Sequence, residues 1–290
     1  MNLYIENKPF EHLLFLGDTH GENMSIAPHL LNKTKIPRTS RKAIVHVGDF
    51  GVGFCPSVDG ELEQLYILNR RLMEHNVALF VIRGNHDNAD WFNDPAYMNR
   101  MVNNEMIENI VFLPDHTLLT LELEGKEKPV KIYCNGGAIS IDRTNRTQGR
   151  SYWRNEKFNC PSQEQLEEIP TDLDVIVTHN RPLGCHPTVY NASVMQWCLR
   201  DGQLDHDLKQ EQIQMKRMFD SIRERNDSRN NIQHYFGHFH WNHRERIGDI
   251  AHIALAIKEL TEFRYINKLV DQYNGKTRSG GLSPDTGPRA

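Results

Sequence analysis

Five short polar clusters in this chain each follow an apolar run, and each carries carboxylate, amide or imidazole groups. Gly84-Asn85-His86-Asp87 comes one residue after the run 77–82, and Asp18-Thr19-His20 follows residues 13–17. Gly48-Asp49 follows 43–47, His179 follows 175–178, and His238-Phe239-His240 follows Tyr235-Phe236-Gly237. A buried strand ending in such groups delivers them to one sheet edge, which is where open α/β sheets place their chemistry. Pooled, Asp18, His20, Asp49, Asn85, His179, His238 and His240 make an oxygen and nitrogen donor set without a thiolate. That set suits manganese, iron, zinc or nickel better than a structural zinc site. Seven donors are too many for one divalent ion but fit two if a single carboxylate bridges them. Two ions about 3.5–4 Å apart can activate water and stabilise charge on a phosphoryl group.

Singly, each cluster has a plainer role. Asp18 and Asp49 at strand ends can cap following helices, His179 can be a hydrogen-bonded core histidine, and Gly-Asn-His-Asp can be a polar turn. His238 and His240, read as i and i+2 of a strand, present both rings to one face. The remaining histidines, His46, His186 and His243 among them, match no motif and read as structural or surface groups.

The elements that must position these residues follow from periodicity. Short apolar runs at 13–16, 41–47 and 77–82, with a helical pattern over 60–75, read as βαβ units of a mainly parallel sheet. Helices are also expected at 23–31, 162–168 and 208–225. From residue 107 shorter strands follow at 110–113, 117–122 and 130–135, then a long polar loop over 139–161. Another strand is expected at 173–177, an irregular stretch over 180–206, and closing strands at 235–236, 250–257 and 262–268; a short first strand fits 3–5. The second half reads as a second sheet packed on the first, so 1–270 is expected to be a single domain. The glycine, serine, proline and charge of 271–290 suggest a disordered tail.

Composition narrows the classes. With 290 residues, 38% hydrophobic and 25% charged, the chain can bury a sizeable core. A formal net charge of −4 predicts no general attraction to nucleic acid or anionic membranes. No apolar run approaches the roughly 20 residues that span a bilayer, and no secretory signal opens the chain. Five widely spaced cysteines without a C-x-x-C pair read as free thiols in a reducing cytosol.

The order Asp18-x-His20-Gly21, Gly48-Asp49, Gly84-Asn85-His86-Asp87, a lone His179 and Gly237-His238-x-His240 resembles the calcineurin-like metallophosphoesterase superfamily, over residues 17–240. The resemblance implies an α/β fold of two mixed β-sheets packed as a sandwich, flanked by helices in four layers, with a dinuclear site at the sheet edges. It implies two divalent ions, manganese foremost, with iron, zinc or nickel as alternatives. Asp18, His20 and His240 would hold one ion, Asn85, His179 and His238 the other, and Asp49 would bridge them. A metal-bridged hydroxide would attack phosphorus in line. His86 would protonate the leaving-group oxygen or hold the phosphate, and Asp87 would orient it.

The chain departs from the protein serine/threonine phosphatases of that superfamily. Their Asp-Arg-Gly is replaced by Asp49-Phe50-Gly51, so the phosphate-gripping arginine is missing, and their Gly-Asn-His-Glu ends here in Asp87. Substitutes are Arg143, Arg146 and Arg150, interleaved with Tyr152 and Trp153 in the long loop, and Arg181 beside His179. The plainer reading of these arginines is solvated charge. The expected activity is hydrolysis of a phosphorylated small molecule, a nucleotide or a phosphoprotein. A nuclease of the same fold is disfavoured by the net charge and the lack of a basic stripe. A catalytically silent protein-binding scaffold is disfavoured because every ligand position is filled.

Overall fold

The computed structural model describes residues 1–4, 8–27, 32–55, 57–94, 107–226 and 232–264. The twelve strands found there form two sheets. The first has the order β12-β2-β3-β4-β5, where β2 is His12–Leu16, β3 Lys42–His46, β4 Val77–Val81, β5 Ile110–Phe112 and β12 Leu260–Glu262. Strands β2 to β5 are parallel and β12 closes one edge antiparallel. The second has the order β1-β6-β7-β8-β9-β11-β10. It comprises β1 (Asn2–Tyr4), β6 (Thr117–Leu121), β7 (Val130–Asn135), β8 (Val175–Thr178), β9 (Ile232–Phe236), β10 (His243–Ile247) and β11 (Ile250–Ala254). Its centre, β7-β8-β9-β11, is parallel. The helices are α1 (Val58–Glu74), α2 (Asp90–Asn93), α3 (Gln163–Glu167), α4 (Ala192–Arg200) and α5 (Leu204–Arg225).

The alternation of side chains along each strand builds the layers. Leu13, Phe15, Ala43, Val45 and Phe80 of the first sheet meet Ile132, Cys134, Val175, Val177 and Tyr235 of the second in one buried cluster. Phe15 and Tyr235 stack across it with centroids 3.7 Å apart. The opposite residues of the first sheet, Leu14, Leu16, Ile44, Leu79 and Val81, pack with Leu65, Leu68 and Leu72 of α1. On the far side, Tyr133, Ile176, Ile232 and Ile250 pack with Met215, Met218, Phe219 and Ile222 of α5. Both central sheets are covered on both faces, as parallel sheets require. The result is the expected four-layer α/β sandwich.

Several local expectations are corrected. Residues 180–206, expected to be irregular, contain α4, and α5 starts at Leu204, four positions earlier than its composition indicated. The strand β10 was missed because its sequence, His-Arg-Glu-Arg-Ile, is polar; it is the outermost strand of its sheet, where charge blunts the free edge. The helix expected over 23–31 opens as a 3-10 turn at Asn23–Ser25 and continues in helical conformation through residues 26–27. Residues 28–31, the end of the expected strand at 262–268 and the tail 271–290 lie outside the described residues.

One buried arginine ties the two sheets together beside the polar edge. Arg83, just past β4, is 1% exposed. Its guanidinium makes a two-pronged pair with Asp115 at 2.9 and 2.8 Å. It also donates to the carbonyls of Asn155, Glu156 and Lys157, while the Arg83 carbonyl accepts the Gly137 amide past β7 at 2.8 Å. Removing one partner of a buried pair strands the other charge. Asp115→Ala is expected to destabilise the fold by about 3–5 kcal/mol, read as a lower urea midpoint; a change under about 0.5 kcal/mol, the size of an ordinary surface substitution, would show that the carbonyls alone satisfy Arg83.

Candidate metal centre

Each cluster begins within a few residues of the C-terminal end of its strand: Asp18 and His20 after β2, Asp49 after β3, Asn85 to Asp87 after β4, His179 after β8, His238 and His240 after β9. Because these strands run parallel within their sheets, all five ends open at one edge. The turns that leave them are tight. His20, Asp49, His238 and His240 have φ of 47°, 55°, 67° and 55°, a left-handed region that costs ordinary residues about 1–2 kcal/mol each. Strain of this kind collects where function demands a particular geometry. Two glycines allow the closest approaches. A Cβ on Gly237 would stand 2.0 Å from an Asp18 oxygen, and one on Gly84 would stand 2.1 Å from an Asp49 oxygen.

Two groups of donors result. Asp18, His20, Asp49 and His240 offer ligand atoms all within 4.8 Å of one another, and so do Asp49, His179 and His238. Asp49 belongs to both. The Nε2 atoms of His20 and His240 face each other at 2.8 Å. His240 Nε2 lies 3.2 Å from Asp18 Oδ2, and His179 Nε2 lies 3.1 Å from Asp49 Oδ1. Asn85 joins the second group: its Oδ1 is 3.1 Å from His179 Nε2 and 2.9 Å from His238 Nδ1. The Asn85 amide nitrogen donates to Ser140 Oγ at 3.0 Å, and that hydroxyl donates to Glu156 at 2.8 Å, which turns the Asn85 oxygen toward the histidines. His179 is oriented in the same manner, with Nδ1 2.9 Å from the Val47 carbonyl.

These residues fit divalent cations. Asp18 is wholly buried, and its Oδ1 has no hydrogen-bond partner, a costly condition for a carboxylate unless a cation answers it. Burial opposes ionisation of Asp49, yet the surrounding His179, His86 and His20 hold its carboxyl below the ordinary range. Burial likewise opposes a charge on His179, but Asp49 overrides it and pushes the imidazole up to about 9. His240 is raised by its bond to Asp18. The centre draws positive charge inward. A third group, His186, His243 and Glu245, lies nearer the surface and apart from these donors.

The second rank differs from the sequence reading. Asp87 accepts four backbone amides, from Gly84, Phe50, Gly51 and Val52 at 2.7–3.2 Å. It staples the β3 and β4 exit loops together where it was expected to orient His86. The partner of His86 is Arg146, whose Nη2 is 2.9 Å from His86 Nε2. Arg146 is itself held by Asp142 at 2.6 Å and by the Ser151 carbonyl. Burial, with Arg146 close by, lowers His86 to about 4, so its ring is neutral near pH 7. Of the other arginines, Arg143 is engaged by Asp201 and Asp207 at 2.7 and 2.8 Å. Arg150 is exposed and not part of the cavity over the centre. Arg181 lines that cavity with Arg146, but donates to the carbonyls of Pro182 and Pro187. His238 and His240 lie in the loop beyond β9, so their convergence comes from left-handed turns and not from strand alternation. Ser140 and Glu156 were missed; the long polar loop after a strand end was the available signal.

Among solved structures the chain is similar to TT1561 of Thermus thermophilus, at 12% identity and TM-score 0.49, with 88% of this chain and 98% of that one covered. It is also similar to phosphopantetheinyl hydrolase of Mycobacterium tuberculosis, at 15% identity and TM-score 0.44, covering 85% and 90%. No curated protein matches the chain in sequence. The family model for calcineurin-like phosphoesterases matches residues 12–207, well over half of the chain and five of the seven donors, with His238 and His240 beyond it. By that match the chain belongs to the calcineurin-like phosphoesterase family.

Proposed function

We propose that this protein hydrolyses phosphate esters with the help of two divalent ions, manganese foremost. The observation that carries this is the sharing of buried Asp49 by two donor groups at one sheet edge, beside an Asp18 oxygen that no protein group satisfies. Asp18, His20 and His240 would hold one ion, Asn85, His179 and His238 the other, and Asp49 both. Bound there, the ions would supply an activated water and positive charge for the phosphoryl group.

The chain's own residues supply the rest. Arg146 stands against His86 at the rim of the centre and replaces the arginine that its phosphatase relatives carry after Gly-Asp; its guanidinium binds phosphate oxygens. His86, neutral as it stands, gains basicity when an anionic phosphoryl group arrives beside it, since opposite charge favours the protonated form. It then holds that group by hydrogen bonding and hands a proton to the departing oxygen. Asp87 fixes the backbone that carries Asn85 and His86. Five free cysteines, three of them only partly buried or exposed, are consistent with a cytosolic setting. Among the described residues no helix is long and apolar enough to cross a membrane.

Two measurements test these roles. Protein stripped of metal and reloaded with manganese is expected to hydrolyse nitrophenyl phosphate or its bis-ester, and to lose that activity on chelation. His86→Ala should lower kcat by about 10²–10⁴-fold with metal content unchanged, whereas Asp49→Asn should lose bound metal. Two bound ions with no turnover of either ester would count against hydrolysis of simple esters, and absence of bound metal would overturn the centre itself. Separately, Ser140→Ala frees the Asn85 amide and should weaken one ion by about 10–100-fold while the other stays. Equal affinity for both ions in wild type and variant, by competition with a fluorescent chelator, would remove Ser140 from that role.

A further inference from the structure

The centre opens into a cavity of about 440 Å³, within the range of about 300–1,000 Å³ that small-molecule sites occupy. Its two ends differ in chemistry. Asp49, His86 and Arg146 lie at the end that carries the donor groups. The rest of the lining sets apolar Ile141, Tyr190, Val194, Trp197, Leu208 and Phe239 beside polar Asp142, Asn180, Arg181, Asn191 and Gln212. Four of the six apolar residues come from 190–208, the stretch that carries α4, and one from the long loop after β7. Most of this apolar wall is continuous with a small apolar cluster around Ile139, Leu204 and Leu208, which is distinct from the three main cores. The Tyr190 hydroxyl is buried in it without a hydrogen-bond partner.

The apolar character does not stop at the cavity. Val189, which also lines it, is 78% exposed. On α4, whose Val194 and Trp197 form the wall, Met195 and Leu199 are 59% and 87% exposed, and no residue of the helix is buried. Monomeric proteins seldom display neighbouring large apolar side chains in this way unless they mark a binding site. Arg200, stacked over Trp197 with its guanidinium 4.9 Å from the ring, covers part of that surface from the helix end.

We infer that the substrate is a phosphate ester of a largely apolar alcohol, whose leaving group fills the cavity under α4 and reaches the surface beside Val189. This rests on the hydrolytic role proposed above and names its substrate class. Hydrolysis forms one phosphorus–oxygen bond to water, breaks the ester phosphorus–oxygen bond and passes a proton to the departing alcohol oxygen. The products are phosphate and the apolar alcohol.

A homologous series of n-alkylphosphonates, methyl to octyl, reports on the cavity without turnover. Titrated calorimetrically into the manganese-loaded protein, affinity should rise by up to about fourfold for each added CH2, the value for full burial, until the chain emerges from the cavity. Trp197→Ala should flatten that slope, and so should Ile141→Ser, which alters a different element and guards against a misfolded helix. Affinity independent of chain length in the wild-type protein would overturn the inference, as would an unchanged slope in both variants. Nitrophenyl ester hydrolysis, run in parallel, keeps the two proposals apart. Turnover with a flat series would sink the apolar leaving group alone. A steep series with no hydrolysis of either the nitrophenyl esters or octyl phosphate would sink the hydrolytic role and leave an apolar-tailed phosphate as a bound ligand.

Discussion

A carboxylate buried as deeply as Asp49 has to be met by positive charge or by donors, because desolvation of an unpaired ion costs several kcal/mol. Asp49 takes the His86 amide at 2.7 Å and lies against His179. The remaining demand falls on whatever stands between it and Asp18, His20 and His240. Much of the local structure follows from that requirement. Gly84 must lack a side chain because Asp49 fills the space beside it. Asp49 itself has a left-handed φ of 55°, and His20 answers it from a turn with the same handedness. Conformational cost on this scale persists only when the surroundings over-determine it. Here the four amides on Asp87 and the core beneath the strands do so.

That core explains why the edge is stiff. Phe15, Val45 and Phe80 of one sheet and Val177 and Tyr235 of the other share a single buried cluster. The strand ends that carry Asp18, Asp49, Asn85, His179 and His238 therefore cannot slide independently. Arg83 adds a polar rivet at the exit of β4, joining Asp115 to the carbonyls of 155–157. The same loop contributes Glu156, which burial pushes up to about 7 and which accepts from both Ser140 Oγ and the Ser140 amide. Asn85 is thus aligned by a chain of groups that begins in the second sheet. A ligand amide has two chemically opposite ends, and only such a chain decides which one faces the ions.

The donor set was legible because its logic is one of topology. Polar residues directly after buried apolar runs must emerge at a common edge if the strands are parallel, and Asp18, Asp49, Asn85 and His179 do so. Helical spacing at Leu65, Leu68 and Leu72 made a helix-covered parallel sheet legible, while the full four-layer sandwich came from the resemblance to the family. What escaped depends on features that periodicity does not carry. The left-handed turns at His238 and His240 resemble a strand in sequence, though no ladder forms there. Asp87 looks like a partner for its neighbour His86, but backbone direction sends its carboxylate to the amides of another loop. Among Arg143, Arg146 and Arg150, spacing alone could not choose. Asp201 and Asp207 claim the first, and Asp142 steers the second onto His86.

The contrast between centre and cavity wall is one of anchoring. The donors stand on strands that share a large core, while α4 is fastened by a small satellite cluster and, at its C-terminal end, by the pair of Arg143 with Asp201. That pair is partly exposed, and partly exposed ion pairs contribute little stability. Local opening therefore costs less at α4, where few apolar contacts hold the helix, than at the strand ends. A site built this way keeps the reacting atoms in fixed register, as catalysis requires. It leaves the wall that selects the leaving group free to shift around it. The polar chemistry and the apolar selection are physically separable in this chain, and they meet at the contact between His86 and Arg146.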